Sequence, residues 1–250
     1  MEKQWLRRNI PDEGLVQMLM DRIGISSVLA NLMAQRGLVD FEKAKNYFNP
    51  DHTQLIGPFV MKDMDKAIDR ISEAIKKNEK ILFYGDYDVD GTTSVALMVL
   101  FFKDIYPNTG YYIPDRHNEG YGISTSGIDY ASNNGYSLII AMDCGIRAVE
   151  KVEYAKEKNV DFIICDHHTP GEKIPDAIAV LDPKREDCRY PYKELSGCGI
   201  TFKLCSAMFL KGFKKNPFQF LDLVAVSIAC DIVPITGENR VLAHFGLKKL

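Results

Sequence analysis

The sequence predicts an α/β fold in which helices cover both faces of a mostly parallel sheet, preceded by a small helical segment. Short apolar runs alternate with segments of helical periodicity from about residue 81 onward, and this succession is typical of parallel strands joined by right-handed crossovers. The apolar runs over 81–84, 138–142 and 162–165 lack a polar alternation. Strands of that kind are covered on both faces.

About the first fifty residues carry signals for the starts and ends of helices. In chain order these are Pro11 at a first-turn position, Ser26 or Ser27 as a cap, Gly37 as a stop, and Asp40 before a helix over 41–48. We therefore predict a helical segment over residues 1–55 and one larger domain over residues 56–250.

The larger domain is predicted to begin with a helix after Asp63. The elements that follow are a strand over 81–84, a helix over 91–103, a strand over 111–114, a helix over 125–134, a strand over 138–142, a helix over 147–158, strands over 161–165 and 177–181, and helices over 200–211, 217–230 and from 238 onward. Sheets built this way bind ligands beyond the carboxyl ends of their strands.

Four acid-rich clusters each follow an apolar run. They are GDYDVDG over 85–91, DCG over 143–145, DHH over 166–168 and DIVP over 231–234. Oxygen ligands with an imidazole suit Mg²⁺ or Mn²⁺, and the histidine favours Mn²⁺. Two such ions, about 3.5–4 Å apart, can stabilise the attacking and leaving oxygens in phosphoryl or phosphodiester hydrolysis. The clusters therefore predict a two-metal site at the strand ends.

Single members of these clusters have simpler explanations. An aspartate after a strand is often a turn residue or a helix N-cap, and this role fits Asp143 or Asp231 taken alone. The three carboxylates of Asp86, Asp88 and Asp90 differ, because they lie in one tight loop and repel one another. Without a cation, that repulsion would be unfavourable.

Two further segments have open interpretations. The polar loop over 114–122 is either a solvated connector or a substrate loop, in which Arg116 or His117 contacts a phosphate and Tyr121 stacks on a base. Gly197 and Gly199 are predicted to open a helix whose free amides could bind an anion. Tight helix packing explains these two glycines equally well.

Taken together, the motifs resemble a known family. They include the four clusters, the longer segments YGDYDVDG over 84–91 and IPDRHNEGYGI over 113–123, and SGCGI over 196–200. In this order they resemble the DHH phosphoesterase superfamily, and within it the RecJ family of single-stranded-DNA-specific exonucleases. The resemblance implies a hydrolase with two Mn²⁺ or Mg²⁺ ions that degrades single-stranded DNA from its 5′ end in DNA repair and recombination.

The resemblance also implies individual residue roles. Asp143 would bridge the two ions, Asp88 would lie on one side with Asp86 completing or supporting that site, and the other side would hold Asp90, His167 and Asp231. Manganese-dependent pyrophosphatases of the superfamily carry a histidine where this chain has Tyr84, so we expect the first ion to be held less tightly. His168 would contact the scissile phosphate, help to protonate the leaving group, or orient His167.

Two other functions remain as alternatives. The same site could act on short oligonucleotides, cyclic dinucleotides or pyrophosphate, although Tyr84 argues against a small substrate. The third hypothesis is a non-catalytic replication scaffold, which the presence of all the expected ligands disfavours.

The composition bears on location and partners. The net charge of −3, from 31 Lys and Arg against 34 Asp and Glu, gives little attraction for DNA, so a local patch, the metals or another domain must supply affinity. No uncharged apolar stretch of about 18 residues and no signal-peptide pattern is present. We expect a cytoplasmic monomer that binds single-stranded DNA, with a single-strand-binding protein or a helicase as candidate partners.

Two more expectations concern the cysteines and the chain length. The six cysteines show no C-x-x-C spacing, so we predict reduced core thiols. RecJ-like proteins continue into a second domain and a nucleic-acid-binding module. The resemblance therefore implies that this chain is a fragment of a longer protein.

Overall fold

The computed structural model describes Gln4, Leu6 and residues 11–250. The chain divides into two compact units, Met1–Gln54 and Leu55–Leu250. Part of the predicted helical segment, on residues 1–3, 5 and 7–10, lies outside the described residues. Among the helices of the described part, none is long and apolar enough to cross a membrane.

The described part of the N-terminal unit contains the helices α1 (Glu13–Ile23), α2 (Ser27–Ala34) and α3 (Phe41–Phe48). Each begins after a side chain that accepts a hydrogen bond from a first-turn amide, as expected of N-caps, and these caps are Asp12, Ser26 and Asp40. Pro11 precedes the Asp12 cap, so the prediction that it stands in the first turn was wrong. The buried residues within this described part are Leu19, Ala30, Met33 and Ala44.

The larger unit is built on a sheet that has five strands in the described part of the chain, in the order β2-β1-β3-β4-β5. The strands are β1 (Lys80–Gly85), β2 (Thr109–Tyr112), β3 (Tyr136–Met142), β4 (Asp161–Cys165) and β5 (Ala179–Leu181). All neighbouring strands run parallel. This arrangement confirms the predicted fold class.

Helices cover both faces of the sheet. Alternate residues of a strand point to opposite sides, so each strand contributes side chains to both cores. Ile81 and Phe83 belong to one core, together with α4 (Met64–Lys76), α5 (Val89–Phe102), α8 (Gly197–Leu210) and α9 (Leu221–Cys230). Leu82 and Tyr84 belong to a second core, with α6 (Thr125–Asn133) and α7 (Val149–Glu157). The helix α10 (Gly237–Leu247) contacts α9.

Several predicted boundaries were wrong, each for a local reason. β2 spans 109–112 rather than 111–114, since these are the residues that pair with β1. α8 begins at Gly197, as predicted for the two glycines but three residues before the predicted range 200–211, because the Ser196 side chain caps it by accepting from the Gly199 amide. The segment over 217–230 is divided into a 3₁₀ turn, Pro217–Phe220, and α9. Five cysteines are buried free thiols, but Cys230 at the end of α9 is exposed.

Candidate metal centre

An aspartate follows directly after each of four neighbouring strands of the sheet. Asp86 follows β1, Asp143 follows β3, Asp166 follows β4 and Asp182 follows β5, and each side chain is buried. The Asp143 amide donates to Cys165 O at 2.8 Å and the Asp166 amide donates to Leu181 O at 3.0 Å. The parallel ladder therefore continues one residue beyond the strands and fixes these carboxylates along one edge.

The segment GDYDVDG adds two more carboxylates at that edge. Asp88 is the N-cap of α5 and accepts from the Gly91 amide at 2.9 Å, while Asp90 lies in the first turn of the same helix. A Cβ on Gly91 would lie 2.4 Å from Asp86 O. Only glycine therefore allows the start of α5 to approach the end of β1 this closely, which brings Asp86, Asp88 and Asp90 together.

The predicted ligands gather into groups whose donor atoms lie within 4.8 Å of one another. One group contains Asp86, Asp88 and Asp143, and a second contains Asp90, His167 and Asp231. A third combination joins Asp143 with His167 and His168. Asp143 and His167 thus lie where the first two groups meet, so the edge could hold two cations side by side.

The His167 imidazole lies among three carboxylates and has no hydrogen-bond partner within the part of the chain that the structure describes. Its Nε2 is 3.2 Å from an oxygen of Asp143, 3.6 Å from one of Asp231 and 3.7 Å from one of Asp90. Among the described residues, no hydrogen-bond partner is found for either ring nitrogen, for Oδ1 of Asp86 or for Oδ1 of Asp143. Buried polar atoms normally have partners, and a bound cation would satisfy the set.

The electrostatics of the cluster also fit a cation. Burial, followed by repulsion from Asp90 and Asp88, raises the pKa of Asp143 to about 11. Burial is also the main cause that raises the pKa of Asp86 and of Asp231. Burial lowers the pKa of His167, which favours a neutral imidazole with a free lone pair. Carboxylates with one neutral imidazole form the donor set that suits Mn²⁺ or Mg²⁺.

Asp90 is held by the first turn of α8. Its carboxylate accepts from the Gly197 amide and the Cys198 amide, both at 2.7 Å, and from Ser227 Oγ at 2.8 Å. A Cβ on Gly197 would lie 2.7 Å from Asp143 Oδ1, so glycine is needed for this approach. The Gly199 amide donates to Ser196 Oγ. The amides that the sequence suggested for an anion are thus already bonded within the protein.

His168 takes part in a chain of polar contacts beside the cluster. The Asp166 carboxylate accepts from the amides of Ile146, His167 and His168 and contacts His168 Nδ1 at 2.7 Å. This hydrogen bond is the main cause that raises the pKa of His168. His168 Nε2 lies 3.2 Å from the Tyr121 hydroxyl. Both residues line a cavity of about 230 Å³, together with Cys144, Gly145, Ile146, Arg147, Asp166 and Thr169.

Hydrogen bonds of the Tyr84 side chain connect the predicted substrate loop to the sheet. The buried Tyr84 hydroxyl donates to Gly122 O at 2.9 Å and accepts from the Ser124 amide at 3.0 Å. On this loop the Arg116 guanidinium lies 5.2 Å from the centre of the Tyr87 ring, a cation–π distance. His117 is exposed and is absent from the potential ligand groups found among the described residues. Tyr84 thus supports the loop and belongs to none of these groups.

Sequence reasoning missed three residues at this edge. Asp182 directly follows the strand over 177–181, so the pattern that selected Asp143 would also have found it. Ser227 stands four residues before Asp231, a spacing that places both side chains on one face of a helix. Arg147 follows the DCG motif and lines the cavity beside His168, and no sequence signal identified it.

The fold and the site together define an α/β protein with a carboxylate and imidazole centre at the carboxyl edge of a parallel sheet. The sequence model of the family described as "DHH family, N-terminal domain" matches residues 80–228. This chain belongs to that family.

Curated proteins named single-stranded-DNA-specific exonuclease RecJ are similar to the chain. The protein from Bacillus subtilis is 40% identical over 240 residues, which cover 96% of this chain and 30% of that protein. The protein from Salmonella typhimurium is 37% identical over 199 residues, which cover 75% of this chain and 34% of that protein. The chain spans about a third of the length of these relatives.

Solved structures of RecJ proteins are also similar. A crystal structure of exonuclease RecJ bound to manganese is 30% identical, with a TM-score of 0.69 over 78% of this chain and 49% of that chain. RecJ from Thermus thermophilus in complex with Mn²⁺ is 25% identical, with a TM-score of 0.78 over 96% of this chain and 34% of that chain.

Proposed function

We propose that this chain carries the catalytic centre of a metal-dependent exonuclease that removes nucleotides from the 5′ end of single-stranded DNA. The observation that carries the proposal is the pair of adjoining ligand groups at the sheet edge, Asp86 with Asp88 and Asp143, and Asp90 with His167 and Asp231. The RecJ relatives support the single-stranded substrate, since they are named single-stranded-DNA-specific exonucleases.

The proposed cofactors are two divalent ions, Mn²⁺ or Mg²⁺. In this proposal Asp143 would be a ligand to both ions, Asp86 and Asp88 would complete one site, and Asp90, His167 and Asp231 would complete the other. When bound, two such ions stabilise the attacking and leaving oxygens of an in-line displacement at phosphorus. The unpaired oxygens of Asp86 and Asp143 and the unpaired nitrogens of His167 support this assignment.

The remaining residues are proposed to position the strand. Asp166 orients the His168 ring through Nδ1, so the Nε2 side could contact the scissile phosphate. Arg116 would neutralise a neighbouring phosphate, and the exposed Tyr121 ring would stack on a base. His117 and the helix start at Gly197 and Gly199 have less support, because the amides of both glycines are bonded within the protein.

The proposed setting is the repair and recombination of DNA in the cytoplasm. The free cysteines of the chain fit a reducing compartment. A single-strand-binding protein or a helicase as partner, and a monomeric state, also belong to the proposal.

The test uses linear and circular single-stranded DNA in the presence of Mn²⁺. A 5′-labelled linear strand should release labelled mononucleotide from the first turnover, while circular single strands and duplex DNA persist. Rapid cutting of the circles would contradict the exonuclease assignment. Faster turnover of pyrophosphate or cyclic dinucleotides would favour a small-molecule phosphoesterase instead.

Two variants decide whether the proposed centre is responsible. Asp143→Ala should abolish nucleotide release, whereas Asp104→Ala should not. Asp104 is a suitable control because it is exposed and pairs with Lys215 on the surface. Equal activity of both variants would show that the reaction takes place elsewhere or comes from a contaminant.

A further inference from the structure

Ser227 is a buried residue of α9 that is bonded to two of the proposed ligands. Its Oγ lies 2.8 Å from Asp90 Oδ1, and its backbone carbonyl accepts from the Asp231 amide at 2.9 Å. Asp90 and Asp231 belong to the same ligand group as His167. Ser227 thus contacts the Asp90 carboxylate through its side chain and the Asp231 backbone through an ordinary helical hydrogen bond.

The direction of the hydroxyl bonds follows from the available donors. Ser227 Oγ also lies 2.7 Å from Ser196 Oγ, which accepts from the Gly199 amide. A carboxylate only accepts, and a serine has a single O–H donor. The Ser227 proton must therefore point to Asp90, and the Ser196 proton then points to Ser227.

The two carboxylate oxygens of Asp90 differ in the hydrogen bonds that they accept. Oδ1 accepts from the Cys198 amide and from Ser227, which uses both of its lone pairs. Among the described residues, Oδ2 accepts from the Gly197 amide alone, and it is the oxygen that lies 3.7 Å from His167 Nε2. Oδ2 therefore keeps a free lone pair on the side of the ligand group.

We infer that Ser227 is a positioning residue for the proposed metal centre: it holds the Asp90 carboxylate so that Oδ2 faces the cation. The inference rests on the metal centre proposed above. Partners that orient a metal ligand typically contribute 10–100-fold to metal affinity. Because two amides would still hold Asp90, we expect the lower end, about tenfold.

Mn²⁺ titration calorimetry tests the inference without relying on nuclease activity. Ser227→Ala should bind Mn²⁺ about tenfold more weakly than the wild type, and Ser227→Thr, which keeps the hydroxyl, should restore most of the affinity. Ser94→Ala is the matched control. Ser94 is equally buried and its hydroxyl also donates to Asp90, but to the backbone carbonyl at 2.8 Å. Its removal should leave Mn²⁺ affinity unchanged.

A double-mutant cycle with Asp90→Ala separates positioning from general destabilisation. If Ser227 acts through Asp90, Ser227→Ala should cause no further loss of affinity once the Asp90 carboxylate is absent. An undiminished loss in that background, or equal affinities of Ser227→Ala and Ser94→Ala, would overturn the inference. If Ser227→Ala does not fold, Ser227→Cys replaces it, since a thiol is a weak donor of similar size. A wild-type protein that binds no Mn²⁺ would instead contradict the proposed centre itself.

Discussion

Two buried groups of charged side chains in the larger unit differ in how completely their atoms are paired. In the first, Lys203 and Glu238 form an ion pair, and both are almost fully buried. Lys203 also donates to Ile56 O, while Glu238 accepts from the Ile56 amide and the Tyr190 hydroxyl. In the second, at the sheet edge, carboxylates outnumber the imidazole and several buried atoms have no partner among the residues that the structure describes.

The difference indicates which group is built for the fold and which for a ligand. A buried ion pair whose remaining atoms are bonded to backbone and hydroxyl groups is complete without any further component. In the second group, burial and repulsion from Asp90 and Asp88 raise the pKa of Asp143 to about 11. Such a cluster is complete only when positive charge is added. Removing one charge from the first group should therefore lower the stability of the protein, whereas removing one carboxylate charge from the second group should raise the stability of the metal-free protein.

The largest loss of stability is expected in the paired group. Glu238→Ala leaves the Lys203 ammonium buried without its counter-ion, which typically costs about 3–5 kcal/mol. Urea denaturation should show this decrease with or without Mn²⁺, because the pair is independent of the metal. Lys215→Ala, which breaks an exposed pair with Asp104, should cost no more than about 1 kcal/mol. Similar costs for the two variants would contradict the comparison.

In the unpaired group, neutralising a carboxylate should stabilise the metal-free protein. Burial, Asp90 and Asp88 raise the pKa of Asp143 in the folded state, so the metal-free wild type loses stability as the pH rises above the ordinary aspartate pKa of 3.8. Asp143→Asn should remove this loss and unfold at a higher denaturant concentration in EDTA.

Mn²⁺ should stabilise the wild type more than the variant. A ligand present at a hundred times its dissociation constant stabilises the folded state by about 2.7 kcal/mol, and the variant should gain little of this. A wild type that is more stable than Asp143→Asn in both conditions would show that the cluster is satisfied without a cation.

The sequence was sufficient to place the carboxylates at the edge of the sheet, but it did not identify the residues that hold them in position. Asp86, Asp143 and Asp166 could be placed because each follows an apolar run, and the parallel fold brings such positions together. The bonds between Asp90, Gly197 and Ser227 could not, because they depend on how α8 and α9 pack against α5. For the same reason, the sequence left open whether the amides of Gly197 and Gly199 could bind an anion, whereas both amides are bonded within the protein.

A pH-dependent effect on stability is expected at Asp182, which is buried and whose Oδ2 has no hydrogen-bond partner among the described residues. Burial is the main cause that raises its pKa to about 7. The folded state therefore holds a proton that the unfolded chain has lost, and its stability falls as the pH rises from 3.8 to about 7. Each pKa unit corresponds to about 1.4 kcal/mol. With stability measured against pH in EDTA, Asp182→Asn should show a smaller decrease over this range. A decrease as steep as that of the wild type would exclude Asp182 as the cause of the pH dependence.

The smallest effect is expected at Ile232, which directly follows the proposed ligand Asp231. Ile232 has φ 58° and is 86% exposed, an unfavourable conformation for a β-branched residue that gains little from burial. Strain of this kind costs about 1–3 kcal/mol, and asparagine adopts the same conformation more readily. Ile232→Asn should therefore stabilise the protein by about 1 kcal/mol.

Ile235→Asn provides the control for that last variant, since Ile235 is also exposed but does not share the positive φ. It should leave stability unchanged, which would show that the gain at Ile232 comes from the backbone rather than from removing an exposed apolar side chain. Mn²⁺ affinity should stay at the wild-type value in both variants, because Asp231 keeps its hydrogen bond to Ser227 O. Weaker Mn²⁺ binding by Ile232→Asn would instead mean that the strained turn itself positions Asp231.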